Sequence, residues 1–240
     1  MMDRLKQQQI LEAAKNWFKN VIAPNHIKNT KKLVDDEEFV INPFLVKYLA
    51  RFLTGKSDPI SIAKALIYPR VLATSINTSF GENAQKFISE LSETIGSATE
   101  GIDIEFIDQV DKRKKYCQVK LGPNTINKDD VITIHDGFSS IKRRAQKNNL
   151  SLNTNDMIVG VLYGEETQLS GNYKKLRNNH HYPVYVGKEF WHRLTGSKHF
   201  YTELSTAISE IAAEFDGTLL LKETISKLSK SDFIKELADK

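Results

Sequence analysis

The chain has 240 residues, 40% of them hydrophobic, 27% charged and 9% aromatic, with a formal net charge of +4. That is enough apolar material for a sizeable core and too little charge imbalance for a disordered chain, and mild basicity permits a polyanionic partner without demanding one. A single cysteine, Cys117, excludes a disulfide framework or a Cys-rich zinc site and fits a reducing cytoplasm, and no apolar run reaches the roughly 20 residues that span a bilayer.

The N-terminus, MMDRLKQQQILEAAKNW, is charged throughout and has no apolar h-region, so it does not read as a signal peptide. Over 3–22, Leu11, Ala14, Phe18 and Val21 recur at helical spacing, which predicts an amphipathic helix ended by the Pro24–Asn25 turn signal. INPFLVKYLARFLTG (41–55) predicts a helix stopped by Gly55, and DPISIAKALI (58–67) opens another with Asp58 at the N-cap and Pro59 behind it. Residues 1–75 are therefore expected to be mostly helical. ENAQKFISELSETIG (82–96) continues the pattern, with Phe87, Leu91 and Ile95 on one stripe.

The period then shortens to two. IDIEFID (102–108) and KYCQVKL (115–121) alternate and are joined by the charged turn Gln109–Lys114, which predicts an antiparallel hairpin. Residues 127–147 return to helical spacing, with Val131, Ile134, Phe138, Ile141 and Ala145 on one face. MIVGVLY (157–163) is a continuous apolar run, as in a strand buried on both faces; after a polar loop, YPVYVG (182–187) predicts a short strand. Two helices, over 199–216 and 219–237, close the chain. No repeat or Pro/Ser-rich linker interrupts this order, so the expectation is one α/β domain whose mixed sheet is flanked by helices, with a helical N-terminal region.

The hairpin carries the most chemistry. Ile102, Ile104 and Phe106 share one face of the first strand, so Asp103 and Glu105 share the other; Cys117, Val119 and Leu121 likewise leave Gln118 and Lys120 together. Pairing the strands can gather Asp103, Glu105, Gln118 and Lys120 into one polar cluster. Oxygen donors of this kind suit Mg²⁺, a hard cation that keeps several waters and shares its shell with phosphate. A lysine beside it can orient or deprotonate an attacking water. The same alternation also describes a solvated hairpin face.

Beyond the hairpin, LGPNTINKDDV (121–131) offers Asn124, Thr125, Asn127 and Lys128 at the entry to a helix. Short polar groups there can grip phosphate or reach base edges, or simply cap the helix, with Asp129 and Asp130 favouring its positive end. Segment 171–193 sets Lys174, Lys175, Arg177, Lys188 and Arg193 against one acid, Glu189, with Tyr173, Tyr182 and Trp191 interleaved. That composition suits a phosphate-tracking surface in which Arg177 reads guanine, or else a solvated loop before a core aromatic helix. His180, His181, His192 and His199 fit neither HExxH nor a paired zinc spacing, and no GxSxG, P-loop or GxGxxG occurs.

GID (101–103), followed after fourteen residues by QVK (118–120), resembles the PD-(D/E)XK motif of Mg²⁺-dependent nucleases. INPF (41–44), YPRVLATSINTSFG (68–81), QVKLGPNTINKDDV (118–131), IVGVLYG (158–164), GNYKKLR (171–177) and VYVGKEFWHRL (184–194) resemble type II restriction endonucleases that cut GG…CC palindromes with a degenerate centre. The resemblance implies a PD-(D/E)XK core over 80–195 with C-terminal helices over 196–240, all within one nuclease domain, 1–240. It also implies a homodimer that cleaves both strands of duplex DNA. Asp103 would be the principal metal ligand, the Val119 carbonyl a second, and Lys120 the motif lysine. Gln118 departs from the pattern, since an acid is usual there. Glu90, on the preceding helix, or Glu105 would supply the missing carboxylate, Glu90 being slightly favoured. Two other classes fit the same residues: a repair-type or structure-selective nuclease, and a DNA-binding module whose active site has decayed at Gln118.

Overall fold

The computed structural model describes residues 2–95, 99–149 and 152–239. In chain order its helices and strands are α1 (Arg4–Trp17), α2 (Ala23–Lys32), α3 (Val46–Thr54), α4 (Pro59–Pro69), α5 (Ile76–Glu82), α6 (Ala84–Ile95), β1 (Ile104–Ile107), β2 (Lys114–Lys120), α7 (Lys128–Lys147), β3 (Met157–Val161), α8 (Gly171–His180), β4 (Val184–Val186), α9 (Lys188–Thr195), α10 (Phe200–Ala212), α11 (Thr218–Leu228) and α12 (Asp232–Asp239). This is a mixed α/β fold with a helical N-terminal region. Two compact units divide it: Met1–Lys15 with Ala84–Ser209, and Asn16–Asn83 with Glu210–Lys240. Among the described residues no helix is long and apolar enough to cross a membrane.

The second unit is helical. Its core joins Val46 and Ala50 of α3, Ile62 and Ile67 of α4, Leu228 of α11 and Ile234 of α12. Asp58 caps α4 by accepting from the Ser61 amide at 2.9 Å, and Gly55 ends α3 with φ at 74°, a left-handed conformation that a side chain disfavours. Two expectations are corrected here. Pro24 does not end the first helix, because a π-helical turn over Phe18–Ile22 resets the hydrogen bonding and Pro24 falls in the first turn of α2, where its missing N–H costs nothing. The single helix expected over 219–237 is two, α11 and α12. At the break, Ser229 Oγ donates to Ser226 O at 3.0 Å and Ser231 Oγ accepts from the Ile234 amide at 3.3 Å, offering the backbone alternatives to the helix.

The first unit is built on a four-stranded sheet in the order β1-β2-β3-β4, with β1 antiparallel to β2 and the other pairs parallel. Ile104 pairs with Cys117, Lys120 with Val161, and Val161 with Val186. All five apolar positions expected on the long helix are buried on α7; Val131, Ile134, Phe138 and Ile141 share one core cluster with Val159, Val161, Tyr173, Leu176 and Tyr182, and the Phe138 and Tyr182 rings lie 4.8 Å apart. The helix expected over 82–96 is α6, and its last residue, Gly96, lies outside the described residues. Part of the expected polar loop, Gly171–His180, is helical instead. Tyr173 and Leu176, one turn apart, give α8 a narrow buried stripe that its lysines and asparagines obscure in the sequence.

At the far end of the sheet the apolar face of β2 admits a charge. Lys115 is fully buried, with Nζ 2.7 Å from Asp111 and 3.6 Å from Asp156, and donates to Asn155 O at 3.0 Å. Arg113 Nε donates to Asp156 at 2.7 Å, and this pairing holds the Asp156 carboxyl below its usual range. Alternation on β3 sends Val159 and Val161 to the α7 side and Gly160 to the other, where an added Cβ would lie 2.2 Å from the buried Phe190 ring. Gly160→Ala is accordingly expected to cost about 1–3 kcal/mol through overpacking. A fall in the urea midpoint with an unchanged slope would show this, and an unchanged midpoint would mean that the ring yields freely.

Candidate active site

Because β1 runs antiparallel to β2, the start of β1 lies beside the end of β2, and Asp103 is brought to the Gln118–Lys120 segment. The contact is made twice. The Asp103 amide donates to Cys117 O at 3.2 Å, and Asp103 Oδ2 accepts from the Val119 amide at 2.7 Å. Burial raises the Asp103 carboxyl above the usual carboxylate range, against the opposing pull of the Val119 N–H and the Lys120 charge. Gln118 donates from Nε2 to Gly101 O, which orients the amide and leaves Oε1 as its second polar atom.

Lys120 has a further partner that the sequence reading assigned only to a helix end. Asn127 and Asp130 form a capping box on α7: Asn127 Oδ1 accepts from the Asp130 amide at 2.9 Å, and Asp130 Oδ2 accepts from the Asn127 amide at 2.8 Å. The other oxygen, Asp130 Oδ1, stands 3.6 Å from Lys120 Nζ. The cap was legible from N-x-x-D spacing; the contact with Lys120 is tertiary and has no sequence signal.

The remaining site residues separate into two groups. Glu105 lies on the same strand as the site, but its carboxylate meets Lys114 Nζ at 2.7 Å and accepts from the Thr99 amide at 2.8 Å. Glu90 is half-buried on α6 and engaged in interactions of its own. Asn124, Thr125 and Asn127, on the loop leading from Lys120 into α7, and Lys128, the first residue of that helix, are all exposed. That loop is fastened to the start of α8: the Ser170 amide donates to Pro123 O at 2.9 Å, Asn172 Nδ2 to Ile126 O at 3.0 Å, and Thr125 Oγ1 lies 3.2 Å from the Tyr173 hydroxyl. Burial pushes that hydroxyl up to about 12, so it remains a donor, and it donates to Gly122 O at 2.9 Å. The loop residues and the exposed Lys174 and Lys175 are thus carried by joined segments. Arg177 is tied down, with NH1 2.6 Å from Glu166 and NH2 donating to Val184 O at 3.0 Å.

Among the described residues no three His, Cys, Asp or Glu side chains cluster as a metal cage. The donors at hand are all oxygens: the Asp103 carboxylate, the Gln118 amide oxygen and the Val119 carbonyl. One desolvated carboxylate with neutral oxygens fits a small hard dication that retains most of its waters, and fits neither zinc nor a softer metal.

Comparison with known proteins gives one finding. The model of the family described as type II restriction endonuclease EcoO109I matches residues 10–216, most of the chain. No curated protein matches it.

The raised Asp103 carboxyl has a consequence for stability. A folded-state value above the unfolded one means that the stability associated with the protonated form is complete below the ordinary aspartate value, about 3.9, and is lost as pH rises through the folded value. Asp103→Asn, which keeps an oxygen for the Val119 amide, is therefore expected to melt at a higher temperature than the native chain at neutral pH in EDTA, by a margin that shrinks toward acid pH. Melting curves of both proteins across that range would test this, and a less stable variant at neutral pH would contradict it.

Proposed function

The chain belongs to the EcoO109I family of type II restriction endonucleases and is a site-specific deoxyribonuclease; we propose that it hydrolyses a phosphodiester within a short palindrome of duplex DNA, using Mg²⁺ and a PD-(D/E)XK site at Asp103, Gln118 and Lys120. The observation that carries this reading is the double contact of Asp103 with β2, which brings a desolvated carboxylate under the electrostatic influence of Lys120. Asp103, the Val119 carbonyl and Gln118 Oε1 would hold the metal. Bound there, Mg²⁺ supplies a Lewis acid against the scissile phosphate. Lys120 orients or deprotonates the attacking water and offsets charge growing on the phosphoryl oxygens. Asp130, at 3.6 Å from its Nζ, holds the lysine in place. In-line attack breaks the bond to the 3′-oxygen and leaves a 5′-phosphate.

A second acid, Glu90 or Glu105, completes the charge that Gln118 does not bring. Glu90 is preferred by family analogy, since many nucleases of this superfamily carry an auxiliary acid on the preceding helix; Glu105 would have to leave Lys114. Asn124, Thr125, Asn127 and Lys128 meet the DNA backbone and base edges together with Lys174 and Lys175, and Arg177 reaches guanine by exchanging Glu166 for the base. A two-fold palindrome, GGNCC-like by family analogy, calls for a homodimer, one active site to each strand.

The test is a digest of long duplex DNA of known sequence with purified protein, in Mg²⁺ and in EDTA. The expected result is discrete fragments that require Mg²⁺, with the rate falling at least about 100-fold in Lys120→Ala. A smear would replace the palindrome reading with a repair-type nuclease. Intact DNA with a salt-dependent gel shift would overturn the catalytic assignment.

A further inference from the structure

Helix α3 of the second unit has three sectors, set by the 100° advance per residue. Val46 and Ala50 are buried in the helical core, and Lys47 and Arg51 lie on the flank beyond them. The third sector, an arc of about 140°, is apolar and open to solvent. It consists of Leu45, Tyr48, Leu49, Phe52 and Leu53, continued by Phe44 just before the helix, and these six residues are between 46% and 91% exposed. The Tyr48 and Phe52 rings lie against one another at 5.9 Å between centroids. Nothing in the fold requires so wide a stripe, because Val46 and Ala50 already anchor the helix.

The extent of this face identifies its occupant. Taking about 150–250 Å² for each fully exposed large side chain, the six residues present roughly 600–900 Å² of apolar surface. Monomeric proteins seldom expose more than about 300–600 Å² in one patch, and a stable protein interface buries about 800 Å² on each partner. One such face is thus about one partner's share of a standard interface. It holds no charge at its centre, and Lys47 and Arg51 stay outside it, so two copies can meet without burying like charges.

We propose that the Phe44–Leu53 face of α3 is where a second copy of this chain docks, each α3 lying against its counterpart across a two-fold axis. The proposal rests on the homodimer reading above and assigns it a surface. Tyr48, Leu49 and Phe52 occupy the dry centre, and aromatic side chains there carry most of the association energy.

Sedimentation equilibrium of the intact chain, its Phe52→Glu and Phe44→Glu variants, and the DNA digest, run in parallel, test this. Both positions are at least 80% exposed, so the substitutions spare the monomer's core, Phe52→Glu removing only the ring contact with Tyr48, and unchanged circular dichroism checks the fold. The expected result is a native dimer at micromolar concentration, weakened at least roughly a hundredfold in Phe52→Glu. Double-strand cleavage should be lost together with the dimer. A native chain that stays monomeric, or variants that remain dimeric, would overturn the proposal, and dimeric variants that still cut DNA would leave the nuclease reading standing without this interface. A native dimer that Phe52→Glu dissociates but that cuts no DNA would keep the interface and remove the palindrome reading. A monomeric native chain that sediments with vesicles of zwitterionic phosphatidylcholine would assign the face to lipid instead.

Discussion

The Val119 amide donates to Asp103 Oδ2 at 2.7 Å while the Asp103 amide donates to Cys117 O at 3.2 Å, so a side chain takes over from the backbone at the point where the β1–β2 ladder begins. A strand end normally leaves its neighbour's amide to water. Here the amide is used to hold a carboxylate at a fixed position on β2. The sheet's topology makes that position useful. With β2, β3 and β4 parallel and β1 reversed, the beginning of β1 and the ends of the three parallel strands share one edge, and open sheets present their ligand-binding groups at the carboxyl ends of parallel strands. Asp103, Lys120 and the loop into α7 all belong to that edge.

The edge is stabilised at the cost of a charge imbalance. Lys120 lies 3.6 Å from Asp130 and also lowers Asp103 against the effect of burial. Asp130 can serve it because its two oxygens do separate work, Oδ2 in the α7 cap and Oδ1 toward Lys120. A helix cap is rigid, since moving it would strand an amide donor, and rigidity is what a positioned lysine needs. Asp103 is more costly, being a carboxylate kept from water with one cation nearby. Such a group is tolerated where it has a task that outweighs its effect on stability. At the opposite end of the sheet the charges Lys115, Arg113, Asp111 and Asp156 instead pair among themselves.

Residues with a periodic partner were legible in the sequence. The five apolar positions of α7, the antiparallel hairpin, the buried β3 run and the caps at Asp58 and Gly55 each follow from local spacing or turn chemistry, and spacing alone put Asp103, Gln118 and Lys120 on one face. What failed to show depends on contacts distant in sequence. Glu105 and Lys120 read as cluster mates until Lys114 and Thr99 claim the glutamate. Lys115 sits in phase with Cys117 and Val119, and nothing local says that Asp111 and Asp156 will accept it. The α8 stripe is only two residues wide, too narrow for periodicity to distinguish a helix from a polar loop.

Gln118 can be understood from the same electrostatics. A carboxylate at this position would stand beside Asp103, already raised by burial, and two like charges at one desolvated site push at least one of them further toward the protonated form. The amide avoids that repulsion. Its Nε2 donates to Gly101 O, on the turn just before Asp103, and so ties the turn to β2. The glutamine therefore contributes order where an acid would contribute charge. The compensation is that any dication held by Asp103 meets less negative charge from this strand and relies more on phosphate oxygens and retained water. On the proposed reading metal and DNA would be mutually supporting ligands, each bringing the charge that the other needs, while the chain's own part is to position Asp103 and Lys120.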